Sequence, residues 1–137
     1  MAPKSESEPG SARLDQLWRR GRELLGVRYA ILGGAMSWLS ERHLVAAISN
    51  AGGFGVIACG AMTPDLLEAE IKATAERTDK PFGVNLITMH PEIEDLMTVC
   101  VACGVGHVVL AGGLPRTADI ERLKQAGIRV LGFAPAL

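Results

Sequence analysis

Cys100 and Cys103 are spaced as C-x-x-C, a pair that can ligate a metal or cycle between dithiol and disulfide. Their surroundings favour neither role. They lie inside the apolar helical pattern Leu96-Met97-Val99-Cys100-Val101-Cys103, and no second Cys pair or His pair stands at ligand spacing. Free cysteine is among the most buried residue types, so the pair reads as small core side chains and no metal is expected. Cys59 ends a predicted strand, where packing and a site role both stay open. The histidines offer little acid–base chemistry: His43 falls in a helix, His107 starts a strand at its structural end, and His90 sits in a loop between Met89 and Pro91. A ligand contact and a plain loop role are both open for His90.

Glycine clusters carry the next chemical possibility, a phosphate cradle. A dinucleotide site needs G-x-G-x-x-G directly after a strand and opening a helix. The run Gly33-Gly34-Ala35-Met36-Ser37-Trp38 lacks that spacing. The second cluster, Gly52-Gly53-Phe54-Gly55, follows a helix and precedes a strand, so it reads as a helix C-cap and a tight turn.

The elements that must position these residues alternate. An amphipathic helix over Leu14 to Leu25 precedes a first strand, Tyr29-Ala30-Ile31-Leu32, and the turn Gly33 to Met36. Ser40 is expected to cap a helix that ends at Gly52-Gly53. Gly55 to Ala58 is a second strand, and Thr63-Pro64 supplies a capping hydroxyl and a first-turn proline to the next helix. Phe82-Gly83-Val84-Asn85-Leu86 is a third strand, with Pro91 opening a helix that ends at Gly104. His107 to Ala111 is a fourth, followed by a helix over Pro115 to Ala126 that Gly127 closes; Ile128 to Leu131 begins a fifth. Strand–helix alternation with strands apolar on both faces specifies a parallel sheet covered by helices.

Composition agrees: the 137 residues are 48% hydrophobic, 21% charged and only 4% aromatic, with 16 glycines, so small and aliphatic side chains do the packing. A net charge of −1 gives no reason to propose nucleic acid or an anionic membrane as partner, and no apolar run is long enough to span a bilayer. Met1 to Ser11 is polar, carries Pro3, Pro9 and Gly10, lacks a secretory h-region, and reads as a disordered leader. A cytoplasmic location is the expectation, with residues 12–137 forming part of one domain.

In a β/α barrel, ligand groups come from the C-terminal strand ends. Those positions are Gly33 to Met36, Cys59-Gly60, Asn85, and Ala111-Gly112-Gly113. Asn85 reads equally as a ligand contact, since its amide both donates and accepts, and as a strand-end capping residue.

Four segments together resemble the nitronate monooxygenase family: Gly34-Ala35-Met36, Leu44 to Ile57, Lys80 to Leu86, and Ala111-Gly112-Gly113-Leu114-Pro115. The flavin-dependent enoyl-acyl-carrier-protein reductases belong to the same superfamily. The resemblance implies a TIM-type (β/α)8 barrel, of which this chain supplies about the first four βα units and strand five. It implies noncovalent FMN at the C-terminal strand ends, with Gly34, Ala35 and Met36 against the ring, Asn85 touching it, and Ala111 and Gly112 beside the pocket. It further implies oxidation of alkyl nitronates with O2 to a carbonyl compound and nitrite, with NAD(P)H-dependent reduction of an enoyl thioester as the alternative.

Two departures temper that expectation. Many members carry a polar residue at the end of the fifth strand, where this chain has Gly132-Phe133-Ala134-Pro135. The family's catalytic histidine, in a Gly-Gly-His turn after strand six, is expected beyond Leu137, so no residue here is assigned as catalytic. Strands one and five would then expose unpaired edges. A non-catalytic half-barrel that self-associates through those edges, and holds FMN weakly or not at all, is the rival expectation.

Overall fold

The structure, a computed structural model, describes residues 9–133. Five helices and five strands alternate along the chain: α1 (Pro9–Leu25), β1 (Leu32–Gly33), α2 (Arg42–Asn50), β2 (Phe54–Ala58), α3 (Pro64–Ala75), β3 (Phe82–Ile87), α4 (Ile93–Ala102), β4 (His107–Ala111), α5 (Thr117–Gln125) and β5 (Arg129–Gly132). All neighbouring strands are parallel and the sheet order is β1-β2-β3-β4-β5. A doubly wound sheet would place its first strand internally. Consecutive order is the signature of a barrel wall, and these strands form a curled half-barrel.

Burial follows the strand period. One set of side chains, Ile57, Val84, Leu86, Val108 and Leu110, packs against α2–α5 through Val45, Leu67, Ile71, Leu96, Met97, Cys100 and Leu123. The alternate set, Phe54, Val56, Val109 and Leu131, forms a second cluster on the concave face, closed by Leu25 at the end of α1. Successive side chains in a strand point to opposite faces, so the strands β2–β4 are buried on both.

Local sequence signals account for most boundaries. The Thr63 side chain accepts from Leu66 N–H at 3.4 Å with Pro64 in the first turn, as the sequence indicates. Helices α2, α4 and α5 end alike: Gly53, Val105 and Ile128 N–H reach back to the Ile48, Cys100 and Leu123 carbonyls. This is the Schellman closure, which needs a left-handed residue just past the helix.

Several expectations shift. Helix α1 begins at Pro9 rather than Leu14, and residues 1–8 of the expected leader lie outside the described residues. β1 is confined to Leu32–Gly33, because the Ile31 N–H turns back to Tyr29 O at 2.7 Å instead of joining the ladder. Ser40 is not the cap of α2; Glu41 is, accepting from His43 and Leu44 N–H. α4 starts at Ile93, two residues after Pro91, and α5 at Thr117, two after Pro115. Ile128 serves the closure of α5, so β5 starts at Arg129. No described helix is long and apolar enough to cross a membrane.

Close approach of backbones sets the α2–β2 packing. A Cβ on Gly55 would lie 2.4 Å from the Val45 carbonyl oxygen, so only glycine allows this contact. The ends of α2 and α3 are tied as well: Arg42 forms a bidentate pair with Glu70, and Thr78 donates to Asn50 at 2.6 Å.

Candidate functional site

The concave face can be built row by row from the strand register. Val56, Gly83, His107 and Arg129 share one row, and Ala58, Asn85, Val109 and Leu131 the next. Ile87 and Ala111 lie at the C-terminal rim. The lower row is a floor. The His107 ring bonds the Leu24 carbonyl at 2.8 Å, and Arg129 donates to the same oxygen at 3.1 Å, which fixes the end of α1 beneath the strands.

Asn85 stands on the middle row, inside the strand rather than at its end, because the ladder continues through Ile87, which pairs with Ala111. It is buried, and its main-chain carbonyl accepts from Cys59 Sγ at 2.9 Å. Its carboxamide has no protein partner among the described residues. The carboxamide keeps some access to solvent, since Thr88 Oγ1 is the one side-chain polar atom among the described residues that is fully buried without a partner.

Above Asn85 the rim is narrow and small. Ile87 fills the space between Gly60 and Gly112: a Cβ on Gly112 would come within 2.7 Å of Ile87 Cγ2, and one on Gly60 within 3.1 Å of Ile87 Cγ1. Gly112 also has φ 81°, a conformation that disfavours any side chain. The hydroxyl oxygen of Thr88, in the turn after β3, is buried with no hydrogen-bond partner. The Thr88 main-chain N–H donates to Ala111 O at 2.8 Å, which holds the two turns together.

Across β2, the β1–α2 turn closes the other side. Gly34 has open space where a Cβ would stand, and Ala35 packs against the concave cluster. Met36 is half exposed, and its N–H donates to Ser40 Oγ at 2.9 Å. Trp38, in the same loop, is exposed with φ 65°, an unusual backbone for so large a residue.

The expected site residues therefore fall into two groups on one end of the half-barrel. Asn85, Ala111 and Gly112 are contiguous through Ile87, while Gly34, Ala35 and Met36 lie two strands away. The sequence pointed to Ser40 only as a helix cap, and not to Thr88 at all. The Ser40 signal is its position four residues after Met36, the reach of a side chain that closes a short turn; Thr88 had none.

Other candidates are placed away from this end or engaged elsewhere. Burial pushes the Cys59 and Cys100 thiols up to about 12, so neither is a ready nucleophile. Cys103 is partly buried and also raised by burial. His90 Nδ1 accepts from Glu92 N–H at 3.1 Å and shapes the entry to α4. His43 is exposed on α2. Among the described residues no cluster of three or more His, Cys, Asp or Glu could hold a metal ion. A groove of about 480 Å³ does exist, lined by Leu24, Ile120, Lys124, Arg129 and Leu131, but it runs along the unpaired edge of β5. Edge grooves of this kind mark missing strand pairing rather than a converging set of polar groups.

Comparison with known proteins matches this geometry to relatives. The chain is 37% identical over 109 residues to a 5-hydroxy-7a-methyl-1-oxo-octahydro-1H-indene-4-carboxyl-CoA dehydrogenase from Mycobacterium tuberculosis, covering 80% of this chain and 30% of the relative. It is 29% identical to a probable nitronate monooxygenase from Staphylococcus saprophyticus, covering 83% of this chain and 42% of the relative. The solved structure of FabK from Thermotoga maritima superposes with a TM-score of 0.80 at 42% identity, over 82% of this chain and 36% of that one. The chain thus spans between 30% and 42% of the length of these relatives. The family model described as nitronate monooxygenase matches residues 19–103, from α1 through α4. By that match and its half-barrel geometry, the chain belongs to the nitronate monooxygenase family of oxidoreductases.

Proposed function

We propose that this chain forms the ring-facing side of an FMN site in an oxidoreductase acting on alkyl nitronates. The observation that carries the reading is the pairing of an Asn85 carboxamide that bonds no described protein group with open space beside Gly34 on the same end of the half-barrel. A flat aromatic ring needs close backbone approach and a few fixed polar contacts. Asn85 would orient the ring, Gly34, Ala35 and Met36 would flank it from β1, and Ala111 and Gly112 would border it from β4. The chemistry FMN supplies when bound is electron removal from the nitronate and delivery to O2, giving a carbonyl compound and nitrite. The chain's own contribution is to bind and orient the ring, and to exclude water through the apolar concave cluster around Phe54, Val56 and Val109.

A second reading has its own support. The likeness to FabK, at 42% identity, is of the same order as that to a nitronate monooxygenase from Paraburkholderia phytofirmans, 39% over 72 residues. Reduction of an enoyl thioester by NAD(P)H on the same scaffold is therefore the alternative.

Titration of the chain with FMN, followed by flavin fluorescence, tests the cofactor reading: weak but saturable quenching is expected, and its absence would overturn it. Oxygen uptake with propionate-3-nitronate, set against NADH consumption with crotonyl thioester, separates the two activities. β1 and β5 each leave an edge unpaired within the described sheet, so association that grows with concentration is expected by light scattering.

A further inference from the structure

The β1–α2 turn is closed on itself by one buried side chain. Ser40 is 4% exposed. Its Oγ accepts from Met36 N–H at 2.9 Å and donates to Gly34 O at 3.1 Å. Its own N–H donates to Met36 O at 2.9 Å, and its carbonyl accepts from Ala58 N–H at 3.0 Å. Every hydrogen-bonding group of Ser40 is therefore used, three on the turn and one on the end of β2. No helix-capping duty competes, because the Glu41 carboxylate caps α2.

This arrangement decides what the turn can offer a ligand. The Met36 N–H is already bonded. The Ala35 N–H, in the residue that packs on the concave cluster, has no protein partner among the described residues. The bonds from Ser40 also enclose Ser37, Trp38 and Leu39 in a tight loop, and Trp38 takes the left-handed backbone at φ 65°. Such a conformation persists only where the surroundings over-determine it.

We propose that Ser40 is a positioning residue for the cofactor site: its hydroxyl locks the turn so that the Met36 N–H is withdrawn and the Ala35 N–H is left for the ligand. Ser40 does not touch the ligand and acts through the 34–36 backbone. The inference rests on the FMN reading above and goes beyond it by naming the residue that shapes this wall.

The test uses amide hydrogen exchange by NMR and FMN titration on the whole chain, its Ser40→Ala and Ser40→Val variants, and Ser40→Thr, which keeps the hydroxyl. In the unsubstituted chain the Met36 amide should be protected before FMN is added. Saturating FMN should slow the Ala35 amide about tenfold, the order of one hydrogen bond, and leave Met36 unchanged. Ala and Val at position 40 should release the Met36 amide and raise the FMN dissociation constant about tenfold, with Thr restoring both. Release of Met36 with unchanged FMN affinity would overturn the positioning role while the flavin reading stood. Failure of the unsubstituted chain to saturate would sink the flavin reading itself, and this inference with it. Should Ala and Val variants not fold, the Ala35 amide decides: no slowing at saturating FMN rejects the proposal.

Discussion

The rings of Phe54 and His107 meet edge to face across Gly83, with centroids 4.9 Å apart. A Cβ on Gly83 would stand 3.0 Å from Phe54 Cε1 and 3.2 Å from the His107 carbonyl oxygen. Three strands thus converge on one point of the floor. Gly83→Ala is expected to destabilise by about 1–3 kcal/mol, the usual cost of overpacking. Urea denaturation measures it, and an unchanged midpoint would show that the floor has slack.

The same histidine predicts a pH effect. Burial, with the Arg129 charge adding to it, pushes the His107 imidazole below its ordinary value, against the pull of the Leu24 carbonyl. Between that depressed value and about 6.5, the unfolded chain binds more protons than the folded one. Stability from this group is therefore full above about pH 6.5 and falls as pH drops through the window. Denaturation midpoints at falling pH should decline, and His107→Gln, which keeps a donor toward Leu24, should flatten the decline. Equal slopes in both chains would assign the effect to other groups.

Two glycines make opposite predictions. Gly55→Ala drives a Cβ into the Val45 backbone, at 2.4 Å from its oxygen and 2.9 Å from its Cα. Backbone cannot swing aside as a side chain can, so a loss at or above about 3 kcal/mol is expected. Gly34→Ala meets open space and should change stability by less than about 0.5 kcal/mol. Its effect should appear instead as weakened FMN binding. Thermal melts and titrations of the two variants distinguish a packing glycine from a ligand-facing one.

Asn85→Leu removes an amide that no described protein group bonds and that keeps some access to solvent. Stability should change by less than about 1 kcal/mol, since no protein hydrogen bond is lost. FMN affinity should fall at least tenfold, by roughly the 1.4 kcal/mol that one directed contact supplies. A destabilised Leu variant would mean that the carboxamide is held by the protein after all.

Thiol labelling should follow burial rather than the C-x-x-C spacing. Cys59 and Cys100, pushed up to about 12 by burial, hold little thiolate near neutral pH. Cys103, only partly buried, should alkylate first, and the other two only on unfolding. Peptide mapping after iodoacetamide treatment reads the order; rapid Cys100–Cys103 disulfide formation would contradict it.

How much of this was legible in the sequence depended on the kind of signal. β4 falls where its apolar run lies, from His107 to Ala111, and Thr63-Pro64 marks the start of α3 because capping is a local event. Alternation of elements was enough to specify parallel strands, while the barrel-type order was implied by the family resemblance. What escaped depends on hydrogen bonds that side-chain periodicity does not record. β1 shrinks because Ile31 bonds back to Tyr29, and Asn85 moves inside its strand because pairing with β4 extends to Ile87. Ser40 was assigned to a helix cap because the same hydroxyl suits either duty; only the neighbouring Glu41 carboxylate, reaching two amides of α2, decides between them. Asn85 was recognisable as polar among apolar residues, but its lack of a partner is a property of the assembled sheet.

The strand order has a kinetic meaning. Each strand pairs only with the one synthesised just before it and the one just after. Every pairing closes a loop of a single strand–helix–strand unit, so no contact within the sheet has to wait for a distant segment. The wall can grow by accretion as the chain is made, each new strand finding a ready template in its predecessor. Growth of this kind makes each strand, as it forms, the template for the next.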